Sequence, residues 1–344
     1  MPRIAVDAMG GDSAPDSPVA GVVDALSCYS DLEVLLVGPE EQLKQQLQGL
    51  TFDATRLELV DAPEVIGMEE SPVVALRAKR NSSISVSMTL LKEGRCDGVF
   101  SAGNTGAVVA ACSMGLGLLP GVRRPGIAVP MPRGKTPVVL TDVGANVACK
   151  PQHLLQYGIM ACEFLSHVYG VEKPRVGLLN VGAEDEKGNV LVKESRVLFR
   201  SSGLNYVGNV EGGDIFLGDC DVIVCDGFVG NIVLKTSEAL SSWLIQGIVS
   251  EVSEALEQND PSGADDAKVL LARGLRQLGA RLDYAEYGGA PLLGTLGVCT
   301  IGHGRSDHRA VRNALGWTQR MIEEDVQQAI IEALSRASDA IAGS

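Results

Sequence analysis

Aromatic residues are scarce in this chain: Phe, Tyr and Trp together make up 4% of 344 residues. The core must therefore be filled by small aliphatic side chains, while 40 glycines allow backbones and ligands to approach closely. Long hydrophobic runs are missing as well. No stretch approaches the roughly 20 apolar residues that span a bilayer, and the start MPRIAVDAMGGD lacks the apolar segment of a secretory signal, so a cytoplasmic protein not integral to the membrane is expected. Basic charge is in deficit, with 29 Lys and Arg against 43 Asp and Glu and a net charge of −14. That balance argues against general nucleic-acid binding, which needs a basic surface, and an acidic partner would have to dock on a local basic patch. The eight cysteines form no CxxC pair and no zinc-like spacing, so they read as reduced core residues; only Cys225, beside Asp226, is placed where a nucleophile could act. A GxSxG elbow, a Walker A loop and a GxGxxG fingerprint with its downstream acidic residue are all absent, which weakens acyl-serine, nucleotide and dinucleotide chemistry.

What the chain does have is a repeated ending. Six apolar runs break off into Asp, Asn and Gly: AVDAMGGD, GVFSAGNTG, VVLTDVGAN, GLLNVGAEDEKGN, YVGNVEGG and VIVCDGFVGN. Short apolar runs read as strands buried on both faces, and the Gly/Asx turns after them supply free backbone N–H groups. In open α/β sheets ligands bind outside the carboxyl ends of the strands, so these loops are expected to gather along one sheet edge around a phosphate-like anion.

Helices separate the runs. The spacing predicts helices over 18–27, 40–47, 72–94 and 151–169, and strands over 3–6, 32–38, 137–141, 175–180, 222–225 and 298–301. From Asn231 to Gln258, Leu240, Trp243, Leu244, Ile248, Val249, Val252 and Leu256 share one face of a long helix, and Lys268 to Leu282 forms a second. Together they predict a hairpin, either for packing or for a membrane surface; Asp260, Asp265 and Asp266 at its tip oppose anionic lipid. The chain reads as one α/β unit, 1–344, divisible into lobes of 1–125 with 290–344 and of 126–289, the latter carrying hairpin 232–283.

Several loops hold residues suited to an anion. In SAGNTG, Gly103 and Gly106 permit close backbone approach, and Asn104 and Thr105 offer hydrogen bonds at a helix start; an ordinary N-cap is the alternative. Lys187 brings a cation among Glu184, Asp185 and Glu186 beside Gly188 and Asn189, where an oxyanion cradle and a solvated charged turn both fit. His303, between Gly302 and Gly304, can exchange protons near neutral pH or simply brace a turn. Asp226, Asn231 and Lys235 share the sixth motif, with Gly227 and Gly230. Asp7, Asp12, Asp142 and Asp226 end strands and could hold a divalent cation, though nothing in the spacing fixes their mutual distances.

In order, DAMGGD, SAGNTGA, DVGAN, EDEKGN, GNVEG, CDGFVGNIVLKTSE, YGGAPLLG and HG resemble the PlsX family of phosphate acyltransferases in bacterial phospholipid synthesis, from Arg3 to about Ile322. The resemblance implies a Rossmann-like three-layer α/β/α fold with a mostly parallel sheet, similar to isocitrate dehydrogenases and phosphotransacetylases. It implies that inorganic phosphate attacks a fatty acyl thioester on acyl carrier protein, giving an acyl phosphate for a membrane glycerol-3-phosphate acyltransferase. It also implies a homodimer loosely associated with the membrane; no cofactor and no metal site are expected, metal dependence being left open by the sequence.

By the same resemblance Lys187, Asn104, Asn189 and Asn231 bind phosphate or the oxyanion, His303 transfers protons, and Asp226 joins the catalytic group. Gly10, Gly11, Asp12, Ser101, Gly103, Thr105, Gly106, Asp142, Gly144, Asn146, Glu184, Gly188, Asn209, Glu211, Gly227, Gly230, Lys235, Gly288 and Gly289 are expected to complete the phosphate site. The acidic carrier is expected to dock on Arg77, Lys79 and Arg80, or on Arg273, Arg276 and Arg281 of the hairpin. Three positions depart from the family pattern: Ser13 stands where His is common, Gly213 where a basic residue is common, and HG is followed by Arg305. A short-chain phosphotransacetylase using coenzyme A and a non-catalytic carrier-binding scaffold are the competing readings.

Overall fold

Side chains of the first strands point to alternate faces, and both faces are covered. In β1 (Arg3–Asp7), Ala5 enters one core while Ile4 and Val6 enter another; in β2 (Glu33–Gly38), Leu35 and Val37 join Ala5, and Val34 and Leu36 join Ile4. A sheet buried in this way needs a helical layer on each side. The computed structural model, which describes residues 1–134, 136–259, 274 and 287–342, has that architecture.

Helices α1 (Asp16–Cys28) and α2 (Glu40–Leu47) follow the first two strands, and β3 (Leu57–Asp61) ends the first run. The stretch 72–94, expected as one helix, is two: α3 (Pro72–Ala78) and α4 (Ser83–Lys92). The break falls where Ser82 accepts the Ser85 N–H as an N-cap and bridges to Glu64, so a local cap outcompetes helix continuation. Next come β4 (Gly98–Ser101) and α5 (Thr105–Ala111), whose end widens into a π-turn over Cys112–Leu116. The middle of the chain supplies β5 (Gly126–Met131), β6 (Val138–Thr141), α6 (Pro151–Tyr169), β7 (Arg175–Leu179), α7 (Val190–Ser201), β8 (Asn205–Val210), α8 (Asp214–Leu217) and β9 (Val222–Val224). It closes with α9 (Gly227–Asn259), β10 (Ala290–Leu293), β11 (Val298–Ile301), α10 (His308–Glu323) and α11 (Val326–Ala342). One face carries α4, α5 and the start of α9; the other carries α1 with α10, and α6 with α11.

The strands form one sheet in the order β3-β2-β1-β4-β11-β10-β5-β6-β9-β7-β8. Most pairs are parallel, but β11–β10, β10–β5 and β5–β6 are antiparallel. Three reversals leave β6, β7, β8 and β9 running opposite to β1, β4 and β11. The loops after β1, β4 and β11 therefore leave one edge of the sheet, and those after β6, β7, β8 and β9 leave the other. This corrects the expectation that all the Gly/Asx loops gather along one edge, and its cause is a pair of strands, GIAVPM and APLL, whose prolines hide them from a strand search.

The long helix begins four residues earlier than expected. Leu240, Trp243, Leu244, Ile248 and Val249 on it are exposed. The partner helix 268–282, the tip aspartates and Arg273, Arg276 and Arg281 lie outside the described residues. Among the described residues no helix is long and apolar enough to cross a membrane.

Candidate active site

Each half of the sheet ends one of its inner strands in a buried aspartate. Asp7, closing β1, accepts the Ser101 hydroxyl at 2.6 Å and the Met9 N–H at 3.1 Å, and Ser101 in turn accepts the Gly103 N–H. Asp142, after β6, accepts backbone N–H groups of Ile127, Ala145 and Asn146 and the Asn146 side-chain amide. Burial raises the pKa of both carboxyl groups, and these donors oppose the shift. The two aspartates thus hold loops in shape, and their oxygens are occupied by donors. Among the described residues no three His, Cys, Asp or Glu side chains cluster as a metal site.

Around Asp7, Gly10 and Gly103 pack so closely that a Cβ at Gly10 would collide with the Gly103 nitrogen, and the Asp12 N–H donates to the Gly304 carbonyl at 2.7 Å. Around Asp142, Gly227 and Gly230 press against the Asn146 and Asp142 backbones, Gly144 lies beside Asn231, and Asp226 caps α9 by accepting the Val229 N–H. Asn104 has its side chain engaged: its oxygen caps α5 at Ala107, and its amide donates to the carbonyls of Gly67, Met68 and Glu70. It fastens the 67–70 segment to α5.

The third group stands apart. Lys187 is exposed in the loop after β7; Gly188 packs on Asn180, Asn189 caps α7 by accepting the Val192 N–H, and Asn209 donates to the Glu184 carbonyl. Asp185 pairs with Arg200 at 2.6 Å, which holds its carboxyl below the ordinary range. Glu211, after β8, donates its backbone N–H to the Asp214 carboxylate at 2.7 Å. None of these residues lines the main cavity.

That cavity, about 320 Å³, lies between the sheet and α9. Ile127, Val129, Val143, Leu234, Ala290 and Ile301 give it apolar walls, and Asp12, Thr105, Asn231, Lys235, Glu238 and His303 supply its polar groups. Gly288 and Gly289 complete the wall; Gly288 has φ +69° and sits against the Ala310 carbonyl and the Ala314 nitrogen, where no side chain fits.

Topology explains how the two edges meet here. Helix α9 starts at the Asp142 edge and crosses the face of the sheet, and the eleven helical steps from Gly227 to Glu238 carry it about 16 Å. Lys235 Nζ then lies 2.8 Å from His303 Nε2 and 3.0 Å from Glu238 Oε2. An ammonium only donates, so the imidazole Nε2 is its acceptor. The Arg305 N–H faces Nδ1 at 3.2 Å; a neutral imidazole accepts at one nitrogen only, so the two contacts belong to alternative tautomers, and in either of them a second proton would face a donor. Burial first, and then the Lys235 charge, push the His303 pKa below its ordinary 6.5. The ring is neutral at neutral pH, with a cation held against it.

Glu238 closes the motif CDGFVGNIVLKTSE, but the motif alone gives it no role. The signal for that role is its position three residues after Lys235, on the same side of a helix. Of the expected docking cations, Lys79 is engaged by Glu70 at 2.6 Å and by the Val65 carbonyl, whereas Arg77 and Arg80 are exposed.

The fold and cavity place the chain among α/β proteins built like phosphotransacetylases. The phosphotransacetylase of Streptococcus pyogenes superposes with a TM-score of 0.59 at 17% identity, covering 96% of this chain and 94% of its own, and the EutD phosphotransacetylase of Staphylococcus aureus with 0.58 at 16%, covering 93% and 94%. At that identity the likeness concerns the fold alone. Residues 2–329 match the family model described as "Fatty acid synthesis protein". Proteins named phosphate acyltransferase are 45% identical over 334 residues in Nitratidesulfovibrio vulgaris, covering 96% of this chain and 94% of theirs, and 45% identical over 337 residues in Desulforamulus reducens, covering 98% and 97%. The Dictyoglomus turgidum protein of that name is 41% identical over 339 residues, covering 98% and 99%. The chain belongs to the phosphate acyltransferase family, and it is a transferase.

Proposed function

We propose that this enzyme moves a fatty acyl group from the thioester of acyl carrier protein to inorganic phosphate, releasing the carrier and an acyl phosphate. A membrane glycerol-3-phosphate acyltransferase would then draw on that acyl phosphate for phosphatidic acid synthesis. The observation that carries the reading is the Lys235–His303 contact at 2.8 Å inside a cavity with apolar walls. A cation and a neutral base suit a phosphate nucleophile, and the aliphatic walls suit an acyl chain.

Phosphate is ionised at neutral pH, so the protein needs chiefly to hold it in line and offset charge as the thioester carbonyl becomes an oxyanion. In this mechanism a phosphate oxygen displaces the ring from Lys235 and forms the new C–O bond. His303 accepts the proton of a singly ionised phosphate at Nε2. The C–S bond breaks, and His303 returns that proton to the departing thiolate. Asn231, one helical turn before Lys235 on α9, donates to the oxyanion. Glu238 positions Lys235, and Asp226, Asp142 and Asn146 hold the loop from which α9 springs. Asn104 and Ser101, with Asp7 behind them, hold the loop that brings Thr105 to the cavity. Lys187 and Asn189 recruit phosphate from outside. The exposed apolar face of α9 supports a homodimer contact or a weak membrane-surface association.

The test is a purified assay of palmitoyl acyl carrier protein with phosphate, acyl phosphate being detected directly. Formation only when phosphate is present is expected. Activity with acetyl coenzyme A in place of the acyl carrier would favour a short-chain phosphotransacetylase, and no product with either donor would remove the chemistry.

A further inference from the structure

A second concavity, about 340 Å³, opens between α3, α4 and the π-turn that ends α5. Its floor includes Leu76, Met88 and Met114, and Arg77, Arg80 and Lys92 stand at its rim. No carboxylate lines it, although the chain carries a net charge of −14. Arg77 and Arg80 make no ion pair among the described residues, while Lys92 donates to the Gly115 carbonyl at 2.9 Å, bracing the π-turn. Met114 on that turn is 63% exposed. Arg77, Arg80 and Met114 thus present charge and apolar surface together to solvent.

We propose that this groove receives an acidic amphipathic helix of the acyl carrier protein, its carboxylates on Arg77 and Arg80 and its apolar residues against Met114 and Leu76. The inference rests on the carrier reading above and gives the carrier a landing place. The position suits delivery of a thioester. Thr105 at the first residue of α5 lines the catalytic cavity, and Ala111 at its last residue lines the groove, so the two sites are separated by about 9 Å of helix. A concave slot favours a protruding helix over a flat lipid surface, and opposite charge steers encounter with an acidic protein. The landing patch is thus Arg77, Arg80 and Lys92; Lys79 is replaced by Lys92.

The test uses the full-length R77E/R80E variant, whose changes lie on exposed side chains, beside the charge-matched control K173E/K193E. The KM for palmitoyl acyl carrier protein is expected to rise at least 10-fold in R77E/R80E with kcat held, and direct titration of the carrier should weaken in parallel. With palmitoyl coenzyme A, which carries no helix, KM should stay within twofold, and M114A should raise the carrier KM a few-fold. An unchanged carrier affinity, an equal loss in the control, or lost binding to phosphatidylglycerol vesicles with carrier affinity intact would overturn the proposal. Carrier binding that depends on Arg77 and Arg80 without phosphate-dependent turnover would leave the groove standing and remove the proposed chemistry.

Discussion

The two halves of the sheet use the same local device to different ends. Each finishes an inner strand in a buried aspartate that gathers loop donors, Asp7 with Ser101 and Met9 in one, Asp142 with Ile127, Ala145 and Asn146 in the other. In the first half, the loop after β11 brings its own functional group, His303, into the cavity. The second half sends its cation along a helix, and Lys235 reaches His303 from a motif on the opposite edge. A similar Gly/Asx loop is therefore not by itself a statement about where a ligand sits. Chemistry falls where the halves meet, and the antiparallel strands β5 and β10 decide that place.

The comparison can be broken most forcefully at its junction. Lys235→Ala should lower kcat at least 100-fold, the scale of losing one group that stabilises developing negative charge, while far-UV circular dichroism stays native. Retention of most of the turnover would detach the helix-borne cation from the reaction.

Asp142→Ala sharpens the opposite claim, that the aspartates act as loop organisers. Three backbone N–H groups lose their acceptor, and urea unfolding should show a stability loss on the order of 3 kcal/mol. A change in kcat at unaltered stability would instead place Asp142 in the chemistry.

Lys187→Ala tests whether the exposed loop contributes at all. A KM for phosphate raised about 10-fold with kcat nearly unchanged is expected, in line with one charge-assisted contact outside the cavity. A collapse in kcat larger than that of Lys235→Ala would reverse the ranking of the two sites.

The smallest expected effect is on pH dependence. Burial and Lys235 hold the His303 pKa below 6.5, so the base form is complete at neutrality; kcat should be level there and fall as pH drops through the lowered value. Glu238→Gln removes a carboxylate that favours the charged ring, so the acid limb should move to still lower pH. A limb rising between pH 7 and 8 would mean that another group accepts the proton.

Much of this was legible in the sequence, and the failures have a physical pattern. Buried parallel strands announced themselves as unbroken aliphatic runs, and α6 and β11 begin and end where periodicity placed them. Pro130 and Pro291 hid β5 and β10, because a strand inferred from ladder hydrogen bonding should not contain proline; Pro130 nevertheless pairs with Val139 and Pro291 with Thr300. Missing them concealed the reversal and so misplaced the Lys187 loop relative to His303. The role of Glu238 was illegible for a related reason, although the residue closes the motif CDGFVGNIVLKTSE. That role depends on a contact between Lys235 and a histidine 68 positions away, which no local pattern encodes.

The central claim is that Lys235 and His303 act as one unit at the junction of the halves, and a double-mutant cycle on kcat/KM measures it most directly. If they do, K235A/H303A should be about as slow as the slower single variant, because each substitution alone already disables the pair. Losses that multiply, so that the double variant equals the product of the two singles, would contradict it.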